Sequence, residues 1–215
     1  MGLWWALIKL GFRLLYHELA FTYDMVSAVV SLGAWRCWQR TALRHLPPPG
    51  AGRVLELAHG TGNLQLDLIE TGYETFAIDF SSQMGRIARH KLRRRQLPVR
   101  FSQARAQQLP YPAGVFAGVV STFPTNFILE PETLREVHRV LQAGGQLIIV
   151  PNGVLASGDV AATLLEWLYR ITGQREEHPF DLVGYLDRYG FEAQVRQEAC
   201  PRSVATIVSA RKKSL

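Results

Sequence analysis

Cysteine is scarce in this chain. The sequence has 215 residues and two cysteines, Cys37 and Cys200, which lie far apart and match no metal-ligand spacing. Two cysteines are too few for the disulfide framework of a small secreted domain, so their number favours a reducing compartment. We therefore expect a cytoplasmic protein and predict no metal site.

The sequence also lacks an apolar run that is long enough and free enough of charge to span a membrane. In the most apolar stretch, residues 1–20, Lys9, Arg13 and His17 recur at four-residue spacing. A spanning helix needs about 20 residues that are nearly free of charge, and a secretory signal places its positive charge before its apolar run. The pattern predicts an amphipathic helix that either packs over the pocket as a lid or lies on the inner face of a membrane.

Low-complexity segments and internal repeats are absent, and one clear boundary divides the chain. A second helix is predicted over about residues 21–45, and three prolines followed by Gly50 then break the helical pattern. The chain is 47% hydrophobic and 20% charged, which excludes a disordered protein. We therefore expect a helical extension over residues 1–50 and one folded domain over residues 51–215.

Acidic residues are missing from residues 86–100, where seven Lys and Arg side chains occur. The positive charge of this segment alone exceeds the net charge of the chain, which is +6. Three interpretations remain open: a solvated helix face, contact with an anionic membrane surface, and RNA binding. No aromatic residue interrupts the basic run to stack on bases, which makes nucleic acid an unlikely partner.

Short apolar runs alternate with helical patterns from residue 53 onward. Strands are predicted at 53–58, 73–79, 98–104, 114–122 and 145–151, with helices between them, and two further strands at 191–199 and 203–212. Strands separated by helices form parallel sheets through right-handed crossovers. The pattern therefore predicts an α/β fold with a mostly parallel sheet and an antiparallel C-terminal hairpin.

A glycine-rich turn joins the first predicted strand to its helix. Gly60 and Gly62 lie in this turn, where glycines allow the backbone to approach a ligand and a helix start offers free N–H groups. The second strand ends in Asp79, which is placed to accept hydrogen bonds from ribose hydroxyls. The pair predicts a nucleotide-type cofactor. A dinucleotide is disfavoured, because Gln65 occupies the third glycine position of G-x-G-x-x-G.

The segment ELAHGTG, residues 56–62, resembles motif I of the class I methyltransferases that use S-adenosylmethionine (SAM). AIDFSSQM, AQQLPYP and LREVHRVLQAGGQLIIV resemble that family's second-strand motif, adenine loop and helix–turn–strand segment. Ala58 and the upstream YDMVSAVVSLGAWRCWQR resemble the ubiquinone/menaquinone biosynthesis C-methyltransferases (methyltransferase type 11), over about residues 20–150. This resemblance implies a Rossmann-like seven-stranded sheet, SAM as the cofactor, and cofactor binding by Glu56, Ala58, His59, Gly60, Gly62, Asp79, Phe80, Met84, Ala106 and Gln107.

The resemblance also implies methyl transfer to a small lipophilic acceptor, quinone-like or lipid, by in-line displacement. Tyr23, His17 and Asn126 are the candidates for handling a proton. Two departures stand out: Arg105 replaces the acid that binds the adenine amino group, and Ala117 replaces the acid after Phe116. These two departures leave open the alternative that the protein is an inactive binding scaffold at a membrane. A third possible function is N-methylation of phospholipid headgroups.

Overall fold

A computed structural model describes residues 27–29, 31–155 and 181–213. The predicted N-terminal helix of residues 1–20 and the candidates His17 and Tyr23 lie outside this part of the chain. Within it, no helix combines the length and the hydropathy that crossing a membrane requires.

A central sheet organises the fold. Its strands are β1 (Arg53–Leu57), β2 (Thr75–Asp79), β3 (Phe101–Gln103), β4 (Phe116–Thr122), β5 (Leu141–Val150), β6 (Gly153–Leu155), β7 (Phe191–Cys200) and β8 (Ser203–Lys212). Strands β3, β2, β1, β4 and β5 are parallel and lie in that order. Strand β8 runs antiparallel to β5 and pairs with β7 as a hairpin. The predicted mostly parallel sheet with an antiparallel hairpin is confirmed.

One short strand adds to the seven that were expected. Strand β6 pairs with residues 203–205 of β8, just beyond the part of β8 that pairs with β5. Pro151 separates β5 from β6, and proline has no N–H to donate to a sheet ladder. The segment is therefore best understood as a continuation of β5 after an interruption.

In the described part of the chain, five helices flank the sheet: α1 (Trp35–Thr41), α2 (Asn63–Glu70), α3 (Ser82–Arg94), α4 (Pro131–Val140) and α5 (Leu182–Asp187). Because neighbouring strand residues point to opposite faces, Val119 and Val120 belong to two different apolar clusters. Helices α4 and α5 pack on one face, whereas α1 and α2 pack on the other. Burial on both faces explains why the central strands read as continuous apolar runs.

The helix predicted over residues 21–45 is shorter than expected where the structure describes it. Leu32 and Gly33 have φ angles of 49° and 84°, in the left-handed region, and a continuous α-helix cannot include them. Helix α1 begins two residues later and continues into a 3-10 turn at Ala42–Arg44. The predicted extension therefore bends immediately before α1.

The two cysteines form a disulfide between α1 and the end of β7. Next to it, Nε1 of the buried Trp38 donates a hydrogen bond to Oγ of Ser203, 3.0 Å away. The cysteine count therefore no longer argues for a reducing compartment. Pairing between residues 163 positions apart leaves no signature in local sequence.

The basic segment of residues 86–100 lies on α3 and the turn after it. Arg86, Arg93 and Arg94 are exposed, whereas Lys91 donates to Oδ1 of Asn63 and Arg95 pairs with Glu70. Cations at the end of a helix also suit its dipole. The arrangement is compatible with a solvated helix face and identifies no partner.

Candidate cofactor and acceptor site

The turn between β1 and α2 has a backbone that requires glycine. Gly62 precedes α2 with a φ of 79°, and a Cβ atom at this position would lie 2.9 Å from Cβ of Ala88 on α3. Gly60 also has a positive φ, but open space surrounds its missing Cβ. Gly62 therefore lets α2 and α3 approach closely, and Gly60 only bends the turn.

Asp79 holds this turn against the end of β2. Its Oδ2 accepts a hydrogen bond from the Gly60 N–H at 2.9 Å, and its Oδ1 accepts one from the Ser81 N–H at 2.7 Å. Ser81 then caps α3 by accepting from the Met84 N–H. A carboxylate has about four acceptor sites, so Asp79 can still accept hydrogen bonds from ligand hydroxyls.

A cavity of about 230 Å³ opens where β1, β2 and β3 end. This is the sheet edge at which open parallel sheets bind their ligands. Five of the predicted cofactor residues line it: Ala58, Asp79, Phe80, Ala106 and Gln107. The other lining residues are Ile78, Ala104, Arg105 and Phe127. The small apolar side chains, the aromatic ring and the carboxylate suit a planar base attached to a sugar.

The remaining predicted cofactor residues do not line this cavity. Met84 is buried in α3, and Gly60 and Gly62 shape the turn behind it. His59 is buried, with its ring stacked on Phe101 at a centroid distance of 4.5 Å and its Nδ1 2.9 Å from the Gly60 carbonyl oxygen. Burial lowers the pKa of His59. His59 therefore helps to close the turn, and its contact with a cofactor stays a prediction.

Glu56 lies fully buried under the same turn. Burial is the main cause that raises its pKa to about 8, and the nearby carboxylates of Asp79 and Asp67 add to the effect. The neighbouring Gln65 side chain acts in the opposite direction and lowers the pKa of Glu56 in part. No group in the described part of the chain hydrogen-bonds Glu56 Oε2. Glu56 is therefore mainly neutral at pH 7.

Arg105, Phe127, Ile78 and Ala104 were absent from the predicted cofactor set. Ile78 precedes Asp79 and Ala104 precedes Arg105, so the ends of β2 and β3 in the sequence could have indicated both residues. Arg105 had been noted only as a departure from the family pattern. Phe127 follows β4, in a 3-10 turn at Asn126–Leu129, and reaches the cavity only through the folding of that turn.

A second group of aromatic rings covers the end of β4. Ser121 Oγ donates to the carbonyl oxygen of Leu57, so β4 ends beside the turn that begins at Ala58. Phe123, with a φ of 52°, stacks on Trp35 of α1 at a centroid distance of 3.7 Å. Left-handed backbone at a residue other than glycine often marks a functional site. The exposed Asn126 lies near these rings in sequence, and an amide can orient a group but not take its proton.

Helix α1 is also held from its other side by a buried carboxylate. Asp67 of α2 is 5% exposed and lies 2.8 Å from Nη2 of Arg36 and 2.9 Å from Nη2 of Arg40. Two guanidinium partners offset the desolvation of this buried carboxylate. Removing the carboxylate or its guanidinium partners would destabilise the folded protein, because a charge would be left unpaired. The disulfide and this ion pair together fix α1 over the β4 end.

The strand order, the glycine turn and the acid that ends β2 define a class I methyltransferase fold. The model of the ubiE/COQ5 methyltransferase family matches residues 12–171, and the chain belongs to this family.

A curated relative agrees with this assignment, and solved structures share the fold. A demethylmenaquinone methyltransferase of Thermus thermophilus is 39% identical over 139 residues, which are 63% of each chain. This chain thus spans less than two thirds of that relative's length. The [4+2]-cyclase SpnF has a similar structure, with a TM-score of 0.66, 16% identity and coverage of 91% of this chain and 94% of its own. Geranyl diphosphate C-methyltransferase from Streptomyces coelicolor A3(2), in complex with S-adenosyl-L-homocysteine, gives a TM-score of 0.62, with 10% identity and coverage of 81% and 78%.

Proposed function

We propose that this protein is a SAM-dependent methyltransferase that acts on a small, lipophilic, quinone-like acceptor. The observation that carries the cofactor assignment is Asp79, which lines the cavity with acceptor sites to spare while it holds the glycine turn. Asp79 would bind the ribose hydroxyls, and Phe80 and Ala106 would contact the adenine. When bound, SAM supplies a methyl group on a sulfonium centre.

The protein's own contribution to such a transfer is alignment. Positioning of two reactants can supply roughly 7–11 kcal/mol of the barrier. Ala58 of the turn lines the cavity, and β4 ends beside this turn, so the rings of Phe123 and Trp35 border the side from which an acceptor would approach. Flat aromatic rings favour a planar apolar acceptor through stacking. The name of the Thermus thermophilus relative points to the same acceptor class.

Calorimetric titration of the full chain with SAM and with S-adenosylhomocysteine tests the cofactor assignment. We expect saturable binding of both, and no detectable heat with either would refute it. Transfer of label from methyl-labelled SAM to a short-chain demethylmenaquinol tests the acceptor. Label that appears only in the phospholipids of a crude lipid extract would support headgroup methylation instead.

An inactive binding protein with this fold is the second candidate. It is favoured by Arg105 and Ala117, which replace two acids of the family pattern, and a cyclase with a similar structure indicates that the fold serves more than one activity. This candidate predicts SAM binding without any transfer of label.

We also propose that residues 1–20 bring the protein to the inner face of a membrane, where a lipophilic acceptor resides. The support is the amphipathic pattern of this segment, with Trp4 and Trp5 at one end. Co-sedimentation with liposomes that contain anionic lipid, with and without residues 1–20, tests this. Equal sedimentation of the two proteins would refute it.

A further inference from the structure

The part of the cavity that follows β3 presents a hydrogen-bond donor. Arg105 lines the cavity, and its Cζ lies 4.8 Å from the centroid of the Phe80 ring. Phe80 also lines the cavity and is 58% exposed, which is unusual for a phenylalanine. Guanidinium groups stack well on aromatic faces, so the ring gives Arg105 a preferred position.

A guanidinium can donate hydrogen bonds but cannot accept them. Among the residues that the structure describes, no carboxylate forms an ion pair with Arg105, so its donors remain available to a ligand. Adenine offers acceptors at its ring nitrogens, whereas its 6-amino group is a donor. Arg105 can therefore donate hydrogen bonds to the unprotonated ring nitrogens of a purine, but it cannot accept one from a 6-amino group.

In the described ranges, no acidic residue lines the end of the cavity where Arg105 lies. Among the described lining residues the one carboxylate is Asp79, which lies at the end of β2, holds the N–H groups of Gly60 and Ser81, and is assigned to the ribose. Glu130 accepts a hydrogen bond from Gln107 Nε2 and does not line the cavity. The side-chain acceptor left here is Oε1 of Gln107, a neutral group that binds a donor more weakly than a carboxylate does.

We propose that Arg105, stacked on Phe80, determines the purine specificity of this site, so that the site accepts a 6-oxopurine as readily as adenine. The inference rests on the proposed cofactor site. A site that hydrogen-bonds an N–H of its ligand rejects the analogue that lacks it, because a polar group is left unpaired. A site with a donor in that place has no such group. In a 6-oxopurine N1 carries a hydrogen and no longer accepts, and the 6-oxo oxygen beside it becomes the acceptor for the Arg105 donor.

Calorimetry on the full chain tests this with two ligands, S-adenosylhomocysteine and S-inosylhomocysteine, which has a 6-oxo group in place of the 6-amino group. We expect the wild-type protein to bind the two within about threefold of each other. Arg105→Asp should bind the adenosine compound at least about tenfold more tightly than the inosine compound, because an acceptor then faces the 6-position. Arg105→Ala should weaken the binding of both.

Arg94→Asp is the matched control, because it makes the same charge change at an exposed arginine on α3. The ratio of its affinities for S-adenosylhomocysteine and S-inosylhomocysteine should equal that of the wild-type protein. Gln107→Leu tests the remaining acceptor, and its ratio should also stay unchanged. Thermal melting of each variant separates a loss of binding from a loss of folding.

A wild-type preference of tenfold or more for the adenosine compound would overturn the inference while the cofactor site stands, and so would an Arg105→Asp protein that keeps the wild-type ratio. Loss of that preference in Gln107→Leu would assign purine recognition to Gln107 and also overturn it. Binding of neither ligand by the wild-type protein would instead refute the proposed function.

Discussion

Cys37 on α1 is bonded to Cys200 at the end of β7, with their Cα atoms 6.1 Å apart. This bond joins the helix that covers the β4 end to the C-terminal hairpin. Helix α1 is thereby held on two sides, by the disulfide and by the ion pair of Arg36 and Arg40 with Asp67.

Replacing both cysteines by serine should lower the free energy of unfolding by about 2–5 kcal/mol. A link between residues 163 apart removes much freedom from the unfolded chain, and native disulfides of this kind contribute stability in this range. Urea unfolding with and without a dithiol reductant measures the effect. The reductant should destabilise the wild-type protein and leave the double variant unchanged; equal sensitivity of the two proteins would contradict the prediction.

Glu56 should make stability depend on pH. In the unfolded chain its carboxyl loses the proton near pH 4.5, whereas in the folded protein it keeps the proton to about pH 8. Between these values the folded state binds more protons than the unfolded state, so stability falls as pH rises through this window. Glu56→Gln should remove this decline, as followed by urea midpoints from pH 5 to pH 8.

Glu192→Gln provides the control for that experiment, because Glu192 is exposed on β7. It should keep the wild-type pH profile. A Glu56→Gln protein whose stability still falls as steeply as that of the wild type would show that another group causes the decline.

Asp79→Ala should weaken the binding of S-adenosylhomocysteine by about 1–3 kcal/mol, because ligand hydroxyls and the N–H groups of Gly60 and Ser81 lose their acceptor. Asp79→Asn keeps one acceptor oxygen and should lie between this variant and the wild type. Calorimetry gives the affinities. Asp187→Ala is the control, because it removes an exposed carboxylate at the end of α5 that pairs with Lys213. It should bind S-adenosylhomocysteine as tightly as the wild type does. Unchanged affinity in Asp79→Ala would place the ribose elsewhere.

The two glycines of the turn should differ in their tolerance of alanine. Both substitutions place a Cβ on left-handed backbone, which costs about 1–2 kcal/mol. Gly62→Ala should cost more, because its Cβ would also lie 2.9 Å from Cβ of Ala88, whereas that of Gly60 meets open space. Thermal and urea unfolding of the two variants provide the comparison, and equal losses would count against the packing argument.

Trp35→Ala should reduce methylation of a short-chain demethylmenaquinol and leave the affinity for S-adenosylhomocysteine unchanged. Trp35 stacks on Phe123 at the β4 end and is absent from the lining of the cofactor cavity. Steady-state kinetics should show the loss in the acceptor's KM more than in kcat. A variant with equal KM and weaker cofactor binding would contradict this division of the site.

Much of the fold follows from local sequence. Continuous apolar runs with helical patterns between them specify buried parallel strands, because each such strand must be covered on both faces. Gly60, Gly62 and Asp79 could be predicted as neighbours for a related reason: a turn that needs a left-handed backbone, and an acid that ends the next strand, are both visible within about twenty residues. The sequence by itself therefore determined the α/β fold, the glycine turn after β1 and the carboxylate that ends β2.

Only the tertiary structure decided which distant side chains meet. It joined Cys37 to Cys200, placed Arg105 over Phe80, brought Phe127 to the cavity, and turned His59 inward onto Phe101. Such contacts depend on where each helix and turn lies on the sheet once the chain has folded. Local periodicity reports which face of an element is buried, but it carries no information about the residue that the face will meet.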